Sequence, residues 1–406
     1  MVKLSGLSLL YSSLPVGIRA NVLRLNVIKF SKWFMLVMPM IVPFYKENGL
    51  TLSEIMLLKS VYSIVIVALE LPSGYFADIL GRRKTLVAGA FLGTAGFACY
   101  SFSHNYTAFI IAEIALGAGT SFISGADSAM LFDTLAAGRR EKEYTRYEGI
   151  NASIGNFSEA FAGLAGGALA LISLRFPFYI QVAVAATAIP AAMTLREPGK
   201  TNLSRKHLKT GDLVKVIVEI LVRKKNLRYN LLFSSVIGAA TLLMAWMAQP
   251  LFQDMGIPLA LYGVLWTALN LTVGFSSITA HRVEKRLGET NTLTMLAVAI
   301  PLLMVITGLI PDAGILPVLF VIYAFRGIAT PVLKDYVNKS TSPEVRATVM
   351  SLRDLILRIM FALLAPLAGW LSDTYSLSAG LIITGLVILI ASTVTLLLFA
   401  RYKRES

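Results

Sequence analysis

Apolar positions run in long, nearly unbroken blocks, interrupted by Gly, Pro and clusters of Lys and Arg. Soluble strands alternate and soluble helices keep a polar face, so neither pattern fits. Each block approaches the ~20 residues that carry a helix across a bilayer. Hydropathy and this punctuation predict helical spans at 24–45, 53–78, 84–103, 106–136, 147–173, 176–195, 228–252, 259–281, 290–310, 314–338, 346–372 and 377–400. The expected fold class is an all-α membrane protein with twelve transmembrane helices. The longest polar interruption divides it into an N-terminal six-helix bundle at 1–195, a cytoplasmic linker at 196–227 and a C-terminal six-helix bundle at 228–406. Within the linker, GDLVKVIVEILVRKKN sets Asp212, Lys215, Glu219 and Arg223 along one helical face, with Leu213, Ile217, Ile220 and Leu221 largely on another. Two forms fit equally: an interfacial helix, or a solvated helix packing its apolar face on the bundle.

Of the 406 residues, 56% are hydrophobic and 15% charged, outside the range of soluble domains. A net charge of +14 would suit nucleic acid only on a folded polar surface. Here the charge lies between apolar blocks, so no nucleic-acid partner is expected. It is also lopsided: 26 of the 37 basic residues fall in alternate connections, and the opposite loops hold only Lys46 and Arg175. The positive-inside rule then places both termini in the cytoplasm of a multi-pass protein, expected in a bacterial inner membrane. The single cysteine, Cys99, rules out an intramolecular disulfide. MVKLSGLSLLYSSLP, with its serines and Pro15 and no small-residue cleavage site, does not read as a removable signal peptide.

The two halves echo each other. Gly125 precedes Asp133 by eight residues and Gly327 precedes Asp335 by eight; Arg146 and Arg346 follow after short turns. Gly166-Gly167 and Ala368-Gly369 come later in the same order, and ADILGRRKTL has a degraded counterpart in VEKRLGETNTL. Order and spacing together predict a duplicated, pseudo-symmetric architecture, as in transporters built from repeats.

ELPSGYFADILGRRKTL, Glu70 to Leu86, carries G-x-x-x-D-x-x-G-R-R as Gly74, Asp78, Gly81, Arg82 and Arg83, on the basic side between the second and third spans. It resembles the signature of the major facilitator superfamily, and the two-half layout extends that resemblance over essentially the whole chain. The resemblance implies a solute transporter in which this loop latches the halves on the cytoplasmic side. Glu70, eight residues before Asp78 and on a similar helical face, is the expected packing or gating partner. Three departures stand out. Ile79 follows the aspartate where the family often has a basic residue. EIALGAG places Glu113 at the arginine of R-x-x-Q-G-x-G, a residue linked there to proton coupling. AGLAGG lacks the proline of the antiporter run Gly-Pro-x-x-Gly-Gly. Drug–proton antiport loses support from these departures; transport does not.

Ionisable groups at membrane depth are costly and so mark function or buried pairing. The acidic ones are Glu70, Glu113, Asp127 and Glu159; the basic ones are Lys29, Lys32, Lys59, Arg326, Arg353 and Arg358. Lys29, Lys32, Lys59 and Arg353 lie near enough to helix ends to snorkel. Glu159, followed by Asp127 and Glu113, is the expected proton-coupling carboxylate, since such a group can load and release a proton as its surroundings alternate. Arg326 and Arg358 are expected substrate groups, or else members of structural ion pairs. Trp33, Trp246 and Asn270 complete the substrate-binding candidates, with ordinary packing as the alternative for the tryptophans.

Neither G-x-x-x-x-G-K-[ST], H-E-x-x-H nor G-x-S-x-G occurs, so neither an ATPase nor an intramembrane enzyme is expected. The reading is a monomeric secondary transporter of a small organic solute, working by alternating access without cofactor or metal. Proton-coupled efflux of a drug or metabolite leads. Uptake or exchange of an organic anion is the alternative, because paired guanidiniums suit carboxylates. A non-transporting receptor on the same fold stays open.

Overall fold

The computed structural model describes residues 14–197, 218–220, 222, 224–310, 314–342 and 345–404, and all their regular elements are helical. The first predicted span is broken. Helix α1, Val16–Trp33, ends before an irregular stretch and a single tight turn at Met38–Met40, and α2, Ile41–Glu47, resumes beyond it. Pro39, inside that turn, has no N–H to donate to a continuing helix, whereas Pro43 sits in the first turn of α2, where its missing donor costs nothing. The break strands backbone donors, and two fully buried glutamines receive them. Gln181 Oε1 accepts from Leu36 N at 2.8 Å, and Gln249 Oε1 accepts from Val42 N at 3.0 Å.

Then follow α3, Leu52–Leu80; α4, Arg82–Phe102; α5, Tyr106–Ala137; α6, Tyr144–Ala170; and the short pair α7, Phe176–Ala186, and α8, Ala188–Thr194. The remaining helices are α9, Lys225–Asp254; α10, Tyr262–Leu309; α11, Ile315–Lys339; α12, Arg346–Thr374; and α13, Leu377–Arg404. Ten helical stretches among the described residues are long and apolar enough to cross a membrane. The predicted fifth span, α6, is not among them: Asn156, Glu159 and several Gly and Ser residues dilute even its more apolar C-terminal part. The predicted eighth and ninth spans are the two arms of α10. Its 48 residues exceed any single crossing, and Gly288, at φ 75° and ψ 169°, breaks it. The amphipathic linker stretch falls largely outside the described residues. Its Ile220 is buried with Leu227, Leu231 and Val349.

Two compact units emerge: Met1–Pro39 with Val65–Lys206, and Met40–Ile64 with His207–Ser406. They differ from the sequence halves in placing α2 and the start of α3 with the second unit. In the first, Val22, Leu25 and Ile28 of α1 pack with Met130, Leu131 and Leu135 of α5 and Tyr147 of α6. The second is centred on α9, whose apolar window is 78% buried. Such a helix carries apolar residues on every side, and its buried Asn230, Ser234, Ser235 and Gln249 are hydrogen-bonded. Phe157 and Phe161 on α6, Phe275 and Ile278 on α10 and Leu363 on α12 stay exposed. Apolar side chains facing outward suit a bilayer, where lipid takes the place of a second packing layer.

The repeat seen in sequence is also a repeat of packing. A Cβ on Gly125 would meet Ser73 Oγ at 2.8 Å and the Gly74 backbone at 3.3 Å; one on Gly327 would meet the Val273 carbonyl at 2.5 Å and Ser276 at 2.8 Å. Each glycine therefore lets its helix touch the preceding partner, α3 in the first unit and α10 in the second, along a small-residue contact.

Candidate functional site

The turn between α3 and α4 is built around Gly81, whose φ of 98° is open to glycine and poorly tolerated by other residues. The Glu197 carboxylate lies over it and accepts from Arg83 N at 3.0 Å, serving one of the unpaired donors that begin α4. Arg82 forms an ion pair with Asp133 of α5 and donates to the Ala129 carbonyl. Thr85 Oγ1 donates to Gly81 O at 3.1 Å. Arg83 and Asp78 are exposed, while Glu70 is half-buried and its carbonyl accepts from Ser73 Oγ at 3.0 Å.

In the second unit Gly288 takes the place of Gly81, with the same positive φ and the same bond one turn on, from Thr292 Oγ1 to Gly288 O at 2.7 Å. The charge is reversed. Glu289 stands where Arg82 stands in the first repeat, so Asp335, the counterpart of Asp133, turns instead to Lys339 of its own helix at 2.5 Å. Tyr336 Oη donates to Glu284 Oε1 at 2.9 Å. The shared backbone and divergent charges give only the first turn an arginine that ties it to the neighbouring helix.

Inside the first unit, Lys29 of α1 reaches Asp127 of α5 at 3.3 Å. Asp127 is 6% exposed, and its other oxygen accepts from Ser128 N at 2.7 Å. Ser128 Oγ donates to Glu148 Oε1 of α6 at 2.9 Å. Glu148 Oε2 is buried without a hydrogen-bond partner, and so are both amide atoms of Asn151, which is 1% exposed. Glu113 stands apart. It is fourteen residues, about four helical turns, before Asp127 on α5, and it accepts from Tyr100 Oη at 2.6 Å. Glu159 is half-buried on α6. Trp33, partly exposed, lies against Gly155, where a Cβ would meet its ring at 3.1 Å.

Snorkelling fails for Lys59 and Arg353 in the second unit, each only 4% exposed. Lys59 Nζ donates to Tyr45 Oη at 2.7 Å and lies 4.7 Å from the centre of the Trp246 ring, so two aromatic groups hold its charge. Arg353 Nε donates to Ser234 Oγ at 2.5 Å, and Nη1 pairs with Asp354 at 2.8 Å. Arg326 is half-buried with its guanidinium 5.7 Å from the centre of the Tyr323 ring. Arg358 is half-buried and makes no hydrogen bond or ion pair with the described residues. Asn270 donates to Trp266 O of its own helix at 3.0 Å.

The family profile described as Major Facilitator Superfamily matches residues 30–362. The chain belongs to this superfamily. An MFS-type transporter of Bacillus subtilis, YxaM, is 24% identical over 83% of this chain and 85% of its own length. The quinolone resistance protein NorA of Staphylococcus aureus is 23% identical over 42% of this chain and 43% of its own. Among solved structures, a bacterial homologue of the human lysosomal transporter Spinster superposes with TM-score 0.79 at 14% identity, covering 97% of this chain and 99% of that one. A D-xylose–proton symporter does so with TM-score 0.72 at 12% identity, covering 93% and 96%.

As a superfamily member the protein is an integral, multi-pass transporter and not an enzyme. Its signature residues Gly74, Asp78, Gly81, Arg82 and Arg83 lie on and just before the turn described above. Sequence reasoning missed Glu197 and Asp133 as partners of that turn, and Glu148 and Asn151 altogether. Glu148 sits one turn into α6 and reads as an ordinary helix-end charge. The available signal was a carboxylate and an amide three residues apart, on one face of a helix otherwise packed through small residues.

Proposed function

We propose that the protein is a proton-coupled secondary transporter of a small organic solute, acting as an exporter of a drug or metabolite by alternating access. In this reading twelve helices span a bacterial inner membrane, in sequence halves 1–195 and 228–406, and both termini are cytoplasmic. The observation that carries it is the buried Lys29–Asp127 pair within a superfamily transporter. Protonating Asp127 would dissolve the pair and leave Lys29 uncompensated, a change large enough to bias one packing of the unit over another. Glu159 is the second candidate and Glu113, held by Tyr100, the third. The partial likeness to a quinolone resistance protein supports the export direction.

The test is transport in proteoliposomes under an imposed pH gradient, using a solute found by thermal stabilisation. Asp127→Asn should abolish accumulation against a gradient and spare downhill exchange. If Asp127→Asn and Glu159→Gln both concentrate solute as wild type does, proton coupling through these groups is wrong. Asp78 with Arg82 and Arg83 is the proposed gate, so Asp78→Asn should lower transport and change thiol-probe access to introduced cysteines.

A second reading, transport of an organic anion, draws on Arg358, which is half-buried without hydrogen bond or ion pair among the described residues, and on Arg326 over Tyr323. Lysine keeps the charge and loses the planar fork, so Arg358→Lys and Arg326→Lys should weaken a carboxylate substrate. Unchanged affinity removes this reading.

A further inference from the structure

We infer that Glu148 and Asn151 form a binding site for a protonated amine that also carries a hydroxyl or carbonyl oxygen. This deepens the transport reading above and rests on it. The first unit's charged cluster runs from Lys29 through Asp127 and Ser128 to Glu148. Lys29 is spent on one oxygen of Asp127 at 3.3 Å, and the other oxygen takes the Ser128 N–H at 2.7 Å. Ser128 Oγ serves Glu148 Oε1 at 2.9 Å. There the chain of partners stops. Glu148 Oε2 and Asn151 Oδ1 and Nδ2 are buried with nothing to bond, and Asn151 follows Glu148 by three residues, on the same side of α6.

Buried polar atoms left unpaired are costly, and a carboxylate without a counter-charge is the most costly of them. A ligand complementary to these atoms carries positive charge and N–H donors for Oε2 and Oδ1, and one acceptor for Nδ2. An ammonium next to a hydroxyl or carbonyl oxygen meets all three demands. A carboxylate ligand would face Glu148 across the site and is rejected by repulsion. No group of three or more His, Cys, Asp or Glu side chains that could hold a metal ion occurs among the described residues, which argues against a bare cation here.

The experiment measures thermal stabilisation of the full-length purified protein by a chemically matched series. Ethanolamine and phenylethanolamine carry both groups; phenethylamine lacks the hydroxyl; the trimethylammonium analogue keeps charge without N–H; phenylethylene glycol is neutral; mandelate is anionic. The two hydroxylated amines should stabilise most, phenethylamine less, and the last three little. Glu148→Gln preserves the bond from Ser128 and removes only the charge, so the unliganded protein should be no less stable than wild type. Its apparent affinity for the amines should fall on the order of tenfold to a hundredfold, the scale of a lost hydrogen bond to a charged group. Asn151→Leu should erase the preference for phenylethanolamine over phenethylamine.

No stabilisation by any amine, or equal affinities in wild type and Glu148→Gln, overturns the site. Counterflow of radiolabelled phenylethanolamine separates this from the broader reading. Exchange that is indifferent to both substitutions leaves a transporter with its site elsewhere. Binding sensitive to both, without exchange, leaves the site and overturns transport.

Discussion

Single buried side chains decide whether broken backbone is tolerable here. Leu36 N, stranded by the break between α1 and α2, has Gln181 Oε1 as its partner inside the first unit. Gln181→Leu keeps the bulk and removes the acceptor, so it should cost about 1–3 kcal/mol, the penalty of an unsatisfied buried donor. Chemical denaturation of the purified protein measures it. Gln181→Glu keeps an acceptor and buries a charge, so it should not rescue the loss. Membrane depth alone did not place Lys59 and Arg353. Both lie within reach of a helix end, yet hydroxyls, aromatic faces and one aspartate close enough to hold their charges keep them inside.

At the scale of elements, the paired turns at Gly81 and Gly288 offer a controlled comparison. Both glycines have positive φ, so alanine at either should cost about 1–3 kcal/mol in backbone strain. A Cβ at Gly288 meets nothing within 4 Å, whereas one at Gly81 runs into the Glu197 carboxylate. Gly81→Ala should therefore be the more destabilising, and equal losses in matched unfolding measurements would show that Glu197 yields freely. Close helix contacts follow the same logic. A Cβ on Gly166 of α6 would overlap the Leu36 carbonyl, backbone that cannot swing aside. Gly166→Ala should cost about 1–3 kcal/mol through overpacking, with a fall in the unfolding midpoint.

For the molecule as a whole, the lopsided Lys and Arg distribution makes a prediction about sidedness. In a Cys99→Ser background, Lys84→Cys and Lys142→Cys should be shielded from a membrane-impermeant maleimide added to intact cells, while His104→Cys and Asp254→Cys should react. The opposite pattern would invert the proposed orientation. Arg175 marks the second side by chemistry as well as count. Its Nη1 donates to the Tyr100, Ser101 and Ser103 carbonyls at 3.2, 3.0 and 2.7 Å, and so caps the end of α4.

Helical class, membrane insertion, the repeat and the signature turn were all legible along the chain. Each is a local or periodic property: apolar length, the spacing of Gly125 and Gly327, a glycine before a run of basic residues. Even the reversal of charge from Arg82 to Glu289 can be read once the repeats are aligned. What only tertiary structure decided is which side chains meet across helices far apart in sequence. Lys29 and Asp127 are 98 residues apart. Glu148 is singled out by a missing bond, and Arg353 by a serine on another helix. A hydrogen bond needs its partners within about 3 Å and well aligned. Hydropathy sets the depth of a residue in a helix only to within a turn, so the pairing had to come from packing.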